Sequence, residues 1–139
     1  MDGKISILIV EDETPIANLL STLLTRAGYA VQIASNGKTG LAMATKENFN
    51  LIMLDVDLPD MTGIEICHEL KHRHFHQETP IVLMSGNATS ERQQRAFEHG
   101  ADGFIAKPFT VEHFLERVHH FTSGGFGRAV GAPTHANHP

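Results

Sequence analysis

The chain has 139 residues, of which 41% are hydrophobic and 19% charged, and its formal net charge is −5 with the histidines neutral. Such a composition is typical of one globular domain with a full core, and the acidic balance argues against nucleic-acid binding, which needs a basic stripe. No stretch approaches the roughly 20 apolar residues of a membrane span, and the single cysteine excludes an internal disulfide. The N-terminus lacks a signal-peptide pattern, so we expect a cytoplasmic protein without membrane contact.

Five strand patterns alternate with five helix patterns. Short apolar or β-branched runs that stop at polar or turn residues predict strands at 4–10, 29–34, 50–54, 80–84 and 103–106. Apolar residues recurring every three or four positions predict helices at 15–28, 36–48, 64–72, 90–98 and 111–121. Thr14 is the predicted N-cap of the first helix, Gly28 and Gly100 are predicted helix stops, and Phe97 and Val111 are predicted to face the core.

Strands that alternate with helices of this length predict a parallel sheet covered on both faces by right-handed crossovers. Five strands in about 120 residues favour a doubly wound α/β fold with the flavodoxin-like strand order 2-1-3-4-5. We therefore expect one domain over residues 1–122. Residues 123–139 are rich in Gly, Ala, Pro and His, and they are predicted to form a flexible tail or a truncated linker.

Polar residues stand where the predicted strands end. Glu11 and Asp12 follow the first strand, Asp55 the third, Ser85 the fourth and Lys107 the fifth. Since parallel strands end at one rim, these groups should converge. Clustered carboxylates repel one another unless a cation intervenes, and Mg²⁺ prefers such oxygen ligands. Asp55 could then attack a phosphoryl group, whose oxygens Lys107 and Ser85 would contact.

Four motifs carry these residues: I-L-I-V-E-D-E, L-I-M-L-D-V-D-L-P-D-M-T-G, I-V-L-M-S-G and G-A-D-G-F-I-A-K-P-F. In this order, each at its expected strand end, they resemble the response-regulator receiver domain, the CheY-like module of two-component signalling, over residues 4–121. The resemblance implies that Asp55 accepts a phosphoryl group from a phosphohistidine on a sensor histidine kinase or a histidine phosphotransfer protein. It also implies a Mg²⁺ ion held by Glu11, Asp12, Asp55 and the backbone carbonyl of Asp57.

The resemblance further implies how the signal is passed on. Ser85 and Lys107 would bind the phosphoryl oxygens, Phe104 occupies the aromatic switch position, and the bond before Pro108 would be cis. The first helix would dock the phosphodonor. The face of the fourth helix, fifth strand and fifth helix would meet a downstream protein, a missing output domain or a second copy in a homodimer. Such a protein is no ordinary enzyme, because it catalyses only its own phosphorylation and dephosphorylation.

Two residues depart from the family pattern. Gly86 stands where an alanine is usual, so the loop after Ser85 could be more mobile. The side chain of Asp57, with Asn87 as its expected opposite number, should alter the rate of autodephosphorylation.

Other functions stay open at this point. Asp55-Val56-Asp57 comes close to the D-x-D-x-[TV] motif of haloacid-dehalogenase-type phosphatases, in which Asp57 would be the general acid. That motif follows the first strand of its fold, however, and no downstream acidic pair or cap domain is evident here. A flavin or nucleotide module would need a Gly-rich or hydroxyl-rich loop where this chain has E-D-E-T-P. A receiver that signals by binding alone is a third alternative, and the complete set of active-site residues argues against it.

A second group of possible metal ligands is a set of closely spaced histidines. His68 and His72 are four residues apart on a predicted helix, and His74 and His76 follow. No carboxylate or cysteine completes a ligand set at useful spacing, so solvated surface histidines are the favoured interpretation.

Overall fold

The computed structural model describes residues 3–72 and 78–123. Within these residues five strands alternate with five helices. The strands are β1 (Ser6–Val10), β2 (Ala30–Ala34), β3 (Leu51–Asp55), β4 (Ile81–Ser85) and β5 (Gly103–Ala106). The helices are α1 (Thr14–Arg26), α2 (Gly37–Lys46), α3 (Gly63–His72), α4 (Ser90–Glu98) and α5 (Val111–Thr122).

The strands form one parallel sheet in the order β2-β1-β3-β4-β5, which confirms the predicted flavodoxin-like topology. Val10 pairs with Leu54 between β1 and β3, and Asp55 pairs with Met84 between β3 and β4. Ser85, the last residue of β4, pairs with Ala106, the last residue of β5. This register brings the carboxyl ends of four strands to one rim of the sheet.

The core consists of two layers, one on each face of the sheet. Ile7 and Ile9 of β1 pack with side chains of α1 and α5, whereas Leu8 and Val10 pack with side chains of α2, α3 and α4. All residues of β3 and β4 are buried, as expected for central strands of a parallel sheet covered on both faces. Burial on both sides holds the strand ends, and therefore the rim, in fixed positions.

The start of α1 differs from the prediction. Thr14 is the first helical residue, and the N-cap is Glu13, which makes no side-chain capping hydrogen bond. Proline lacks only an N–H that a first turn does not use, so Pro15 permits the helix to begin one residue earlier. The two predicted helix stops are confirmed, because Gly28 and Gly100 have φ of +100° and +105°.

Two predicted core residues lie at the surface. Phe97 of α4 and Val111 of α5 are each 48% exposed. In α4 the inward position belongs to Ala96, which is fully buried, and the adjacent Phe97 is rotated away from the sheet. In α5 the buried stripe starts one turn later and consists of Phe114, Val118 and Phe121.

Candidate functional site

The polar residues predicted at the strand ends do meet at the rim. Asp55 and Ser85 are the last residues of β3 and β4, and Glu11 comes directly after β1. Their exposed fractions are 5%, 0% and 1%, so three polar side chains are buried at the edge of the sheet. Strand-like hydrogen bonds continue past the strand ends: the Glu11 amide donates to the Ala34 carbonyl at 3.0 Å, and the Lys107 amide donates to the Ser85 carbonyl at 2.9 Å.

Lys107 joins the two buried carboxylates. Its Nζ lies 3.0 Å from Glu11 Oε1 and 3.2 Å from Asp55 Oδ2, and its side chain is 17% exposed. Burial raises the pKa of Glu11, and the charge of Asp55 raises it further, against the opposing hydrogen bond from Lys107. Burial alone would lower the pKa of Lys107, but the hydrogen bond to Glu11 and the charges of both carboxylates outweigh it and raise that pKa. The ammonium group therefore compensates a pair of negative charges that would otherwise repel.

The carboxylates can also hold a metal ion. Glu11, Asp12 and Asp55 each offer one oxygen, and the three oxygens lie within 4.8 Å of one another. Asp12 is exposed to solvent, whereas the other two are buried. Backbone amides orient the buried pair, because the Glu13 N–H donates to Glu11 Oε2 at 3.2 Å and the Asp57 N–H donates to Asp55 Oδ1 at 3.0 Å. Carboxylate oxygens with one side open to water are the donor set that fits Mg²⁺.

The loop after Asp55 is tied down at several points. The Gly63 amide donates to the Val56 carbonyl at 2.9 Å. A Cβ on Gly63 would lie 2.5 Å from the Asp55 carbonyl oxygen, so only glycine permits this close approach. Asp60 accepts hydrogen bonds from the first two amides of α2, at 2.8 and 2.9 Å, and these bonds lower the pKa of its carboxyl. The loop that begins with the buried carboxylate is thus anchored to α2 and to the start of α3.

Asp57 makes contacts that the sequence did not predict. Its Oδ2 accepts a hydrogen bond from Ser85 Oγ at 3.3 Å, and its Oδ1 lies 2.7 Å from Nη2 of Arg92. Asn87, the expected opposite number, instead uses its backbone N–H to donate to Ser85 Oγ at 3.0 Å. Arg92 is the site residue that sequence reasoning missed. A basic residue in the first turn of the helix after β4 was the available signal, because that turn starts at the same rim.

The remaining predicted site residues lie beside this cluster. Phe104 pairs with Leu83 across β4 and β5, is half-buried, and packs against the core layer of α2, α3 and α4. The peptide bond between Lys107 and Pro108, expected to be cis, is cis.

The histidines form a separate group between α3 and α4. Nδ1 of His68 lies 3.2 Å from Nδ1 of His99, and Nδ1 of His72 donates to the His68 carbonyl at 2.9 Å. His68 and His99 help to line a cavity of about 270 Å³. Among the residues that the structure describes, three possible metal ligands come together at the rim carboxylates. The described histidines do not form such a group. The histidines at 74 and 76 lie outside the described residues.

Comparisons with known proteins agree with this geometry. The family described as the response regulator receiver domain matches residues 7–119. Response regulator ArlR of Staphylococcus haemolyticus is 37% identical over 113 residues, which are 81% of this chain and 50% of ArlR. The chain therefore spans about half the length of the curated relatives it matches.

Solved structures show the same likeness. Chemotaxis protein CheY4 of Vibrio cholerae has a TM-score of 0.82 and 32% identity, with 86% of this chain and 99% of that chain covered. The receiver domain of sensor histidine kinase PA1611 from Pseudomonas aeruginosa has a TM-score of 0.79 at 22% identity, covering 86% and 98% of the two chains. That neighbour was solved with a magnesium ion coordinated in its active-site cleft.

These matches do not favour a haloacid-dehalogenase-type phosphatase. Consistent with that, the D-x-D pair follows β3, with β1 already supplying acidic residues upstream. No helix among the described residues is long and apolar enough to cross a membrane. With the matched family spanning 113 of the residues, from 7 to 119, and the site assembled from all four motifs, the chain belongs to the response regulator receiver domains of two-component systems.

Proposed function

We propose that Asp55 is the phosphoacceptor of this receiver and takes a phosphoryl group from a phosphohistidine on a sensor histidine kinase or a histidine phosphotransfer protein. One observation supports this most directly. Asp55 is a buried carboxylate at the open rim of the sheet, with Lys107 at 3.2 Å from one oxygen and a backbone N–H at 3.0 Å from the other. A buried charge with fixed donors is the arrangement of an oriented nucleophile.

In the proposed reaction a carboxylate oxygen of Asp55 attacks phosphorus while the bond from phosphorus to the donor imidazole nitrogen breaks. The electron pair of that bond leaves with the imidazole, and the product is an aspartyl phosphate. Lys107, which now contacts the two carboxylates, would contact the phosphoryl oxygens as negative charge develops on them. The hydroxyl of Ser85 would donate to another of those oxygens.

Mg²⁺ fits the proposed site. Glu11, Asp12 and Asp55, together with the backbone carbonyl of Asp57, would hold it, and it would neutralise charge on the phosphoryl oxygens. Among the residues that the structure describes, Lys107 is the cation that contacts the two buried carboxylates, so one positive charge faces two negative ones. This charge deficit is what supports the metal assignment from the chain itself. The same groups would make phosphorylation by a small donor, and later hydrolysis by water, self-catalysed.

The response to phosphorylation is proposed to run through β4 and β5. Ser85 and Phe104 would be the switch residues, and the surface of α4, β5 and α5 would be read by a partner. The exposed side chains of Phe97 and Val111 support this surface, because both are large apolar groups left uncovered on α4 and α5. On α1, Leu19 is 54% exposed and supports the docking of the phosphodonor there.

The proposal extends to organisation. We assign residues 1–122 to the receiver and the segment from 123 to a linker or tail, most of which lies outside the described residues. The reader of the signal would be an output domain, a downstream protein or a second copy of the chain. A cytoplasmic location follows from the proposed kinase partner.

The decisive experiment is incubation with acetyl phosphate or phosphoramidate and Mg²⁺, followed by intact-mass measurement. We expect a gain of one phosphoryl group that disappears in Asp55→Asn and on chelation of the metal. Asp102→Asn is the matched control, because Asp102 is at the opposite end of β5 from Lys107 and should leave labelling unchanged. Labelling that persists in Asp55→Asn, or that no donor produces, would refute the phosphoacceptor assignment.

A further inference from the structure

Asp57 stands between the phosphoacceptor and the start of α4. Its backbone N–H holds Asp55 Oδ1, while its carboxylate accepts from Ser85 Oγ at 3.3 Å and pairs with Arg92 Nη2 at 2.7 Å. Arg92 is in the first turn of α4, where its own N–H donates to the capping hydroxyl of Thr89 at 3.1 Å. One carboxylate therefore restrains both the switch hydroxyl and the helix that follows it.

The Arg92 side chain is mostly buried where it contacts Asp57. It is 28% exposed, against 58% for Asp57, and its Nε is buried without a hydrogen-bond partner within the described residues. A buried donor without a partner is costly, so a rearrangement that exposes Nε to water would lower the free energy of the guanidinium. The pair is therefore mostly buried on the Arg92 side and open to water on the Asp57 side.

The hydroxyl of Ser85 has one proton to donate. It can donate that proton to Asp57, as it does here, or to a phosphoryl oxygen on Asp55, but not to both. Phosphorylation also raises the negative charge on Asp55 from about one to about two, beside the Asp57 carboxylate. Both effects act on Asp57 in the same direction: it loses its bond from Ser85 and is repelled by the new charge. Arg92, the nearest cation on α4, is then drawn towards the phosphoryl group or released to solvent.

We propose that the Asp57–Arg92 ion pair is a latch that holds the segment from Ser85 to the first turn of α4 in its unphosphorylated arrangement, and that phosphorylation of Asp55 opens it. The second part of this inference, the opening of the ion pair on phosphorylation, rests on the proposed function. Asp57 and Arg92 are positioning residues, because they act through Ser85 and α4 and not on the reacting atoms. A Cβ on Gly86 would meet no atom within 4 Å, so the loop borders open space at this position.

The test is amide hydrogen exchange across residues 86–98 of the full chain, measured without ligand and with Mg²⁺ plus beryllium fluoride, a phosphoryl mimic. Removing a partly exposed ion pair shifts an equilibrium by about two- to fivefold, so Arg92→Gln should raise exchange in the first turn of α4 by that factor. Asp57→Asn should do the same, and the double variant should add little. Beryllium fluoride should raise exchange in the wild type and cause little further rise in either variant.

Arg95→Gln is the matched control, one turn further along α4, and it should behave as the wild type does. Unchanged exchange in unliganded Arg92→Gln, or an equal rise on ligand in wild type and variant, would overturn the latch. Intact mass after acetyl phosphate separates the two ideas. A chain that is never phosphorylated defeats the proposed function and the release with it, whereas normal labelling with no change at α4 defeats the latch alone.

Discussion

Lys107→Met tests how the buried carboxylates are stabilised. The variant keeps the length of the apolar stem but leaves Glu11 and Asp55, with exposed fractions of 1% and 5%, without their shared cation. Removing one partner of a buried ion pair costs about 3–5 kcal/mol when the remaining charge cannot escape. Here it can escape, because Glu11 can take up a proton.

Protonation of Glu11 sets a ceiling on the cost. Holding one carboxyl protonated against its ordinary pKa of 4.5 requires about 3.4 kcal/mol at pH 7 and about 0.7 kcal/mol at pH 5, at ~1.36 kcal/mol per pH unit. At each pH the variant takes the cheaper of the two routes, an unpaired buried charge or a protonated Glu11. We therefore expect a loss of unfolding free energy of about 2–3 kcal/mol at pH 7 and less than about 1 kcal/mol at pH 5.

The direction in which stability changes with pH follows from the number of protons bound by the folded and unfolded states. In the variant the folded-state pKa of Glu11 rises further above its unfolded value, so between the two values the folded state binds more protons than the unfolded state. Stability must then fall as pH rises through that window. Millimolar Mg²⁺ should restore more stability to the variant than to the wild type, because it replaces the missing cation among the carboxylates.

Urea unfolding at pH 5, 6 and 7, with Mg²⁺ or with a chelator, measures these quantities. Lys46→Met, which changes an exposed lysine at the end of α2, is the matched control and should shift the midpoint little at any pH. A Lys107→Met variant that is destabilised equally at pH 5 and pH 7, or no more than the control, would refute the charge argument.

Three further predictions concern the elements that carry the site. Gly63→Ala should cost about 1–3 kcal/mol in urea unfolding and slow acetyl phosphate labelling, because the added Cβ would lie 2.5 Å from the carbonyl oxygen of Asp55; wild-type labelling would contradict this. Phe114→Ala should cost about 3–5 kcal/mol because that ring is fully buried, whereas Phe97→Ala should stay within about 0.5 kcal/mol, and similar midpoints for the two would be inconsistent with the core described above. Asp60→Asn should flatten the loss of stability on acidification below about pH 4, since the lowered pKa of Asp60 contributes stability above its unfolded pKa that disappears as pH falls through the folded value. An unchanged dependence of stability on acid pH would count against the two hydrogen bonds from the start of α2 to Asp60.

Much of the site was predictable because of one geometric rule. In a parallel sheet every strand ends at the same rim, so locating where the apolar runs stop was enough to bring Glu11, Asp55, Ser85 and Lys107 together. Arg92 could not be found in this way. It belongs to a helix, and which side chain of a first turn points back at the rim depends on the exact start of α4 and its angle to the sheet.

The sequence alone determined the alternation of strands and helices and the chemistry at each strand end, because apolar periodicity and turn residues are local properties of the chain. Tertiary structure decided which groups share a partner. Lys107 bridges two carboxylates, Asp57 turns to Ser85 and Arg92, and Phe97 and Val111 face outward, although their residue types favoured the core. Which side chains pair, and which face outward, depends on the rotation of each helix and on small differences in the distances between segments far apart in the chain. No local pattern contains that information.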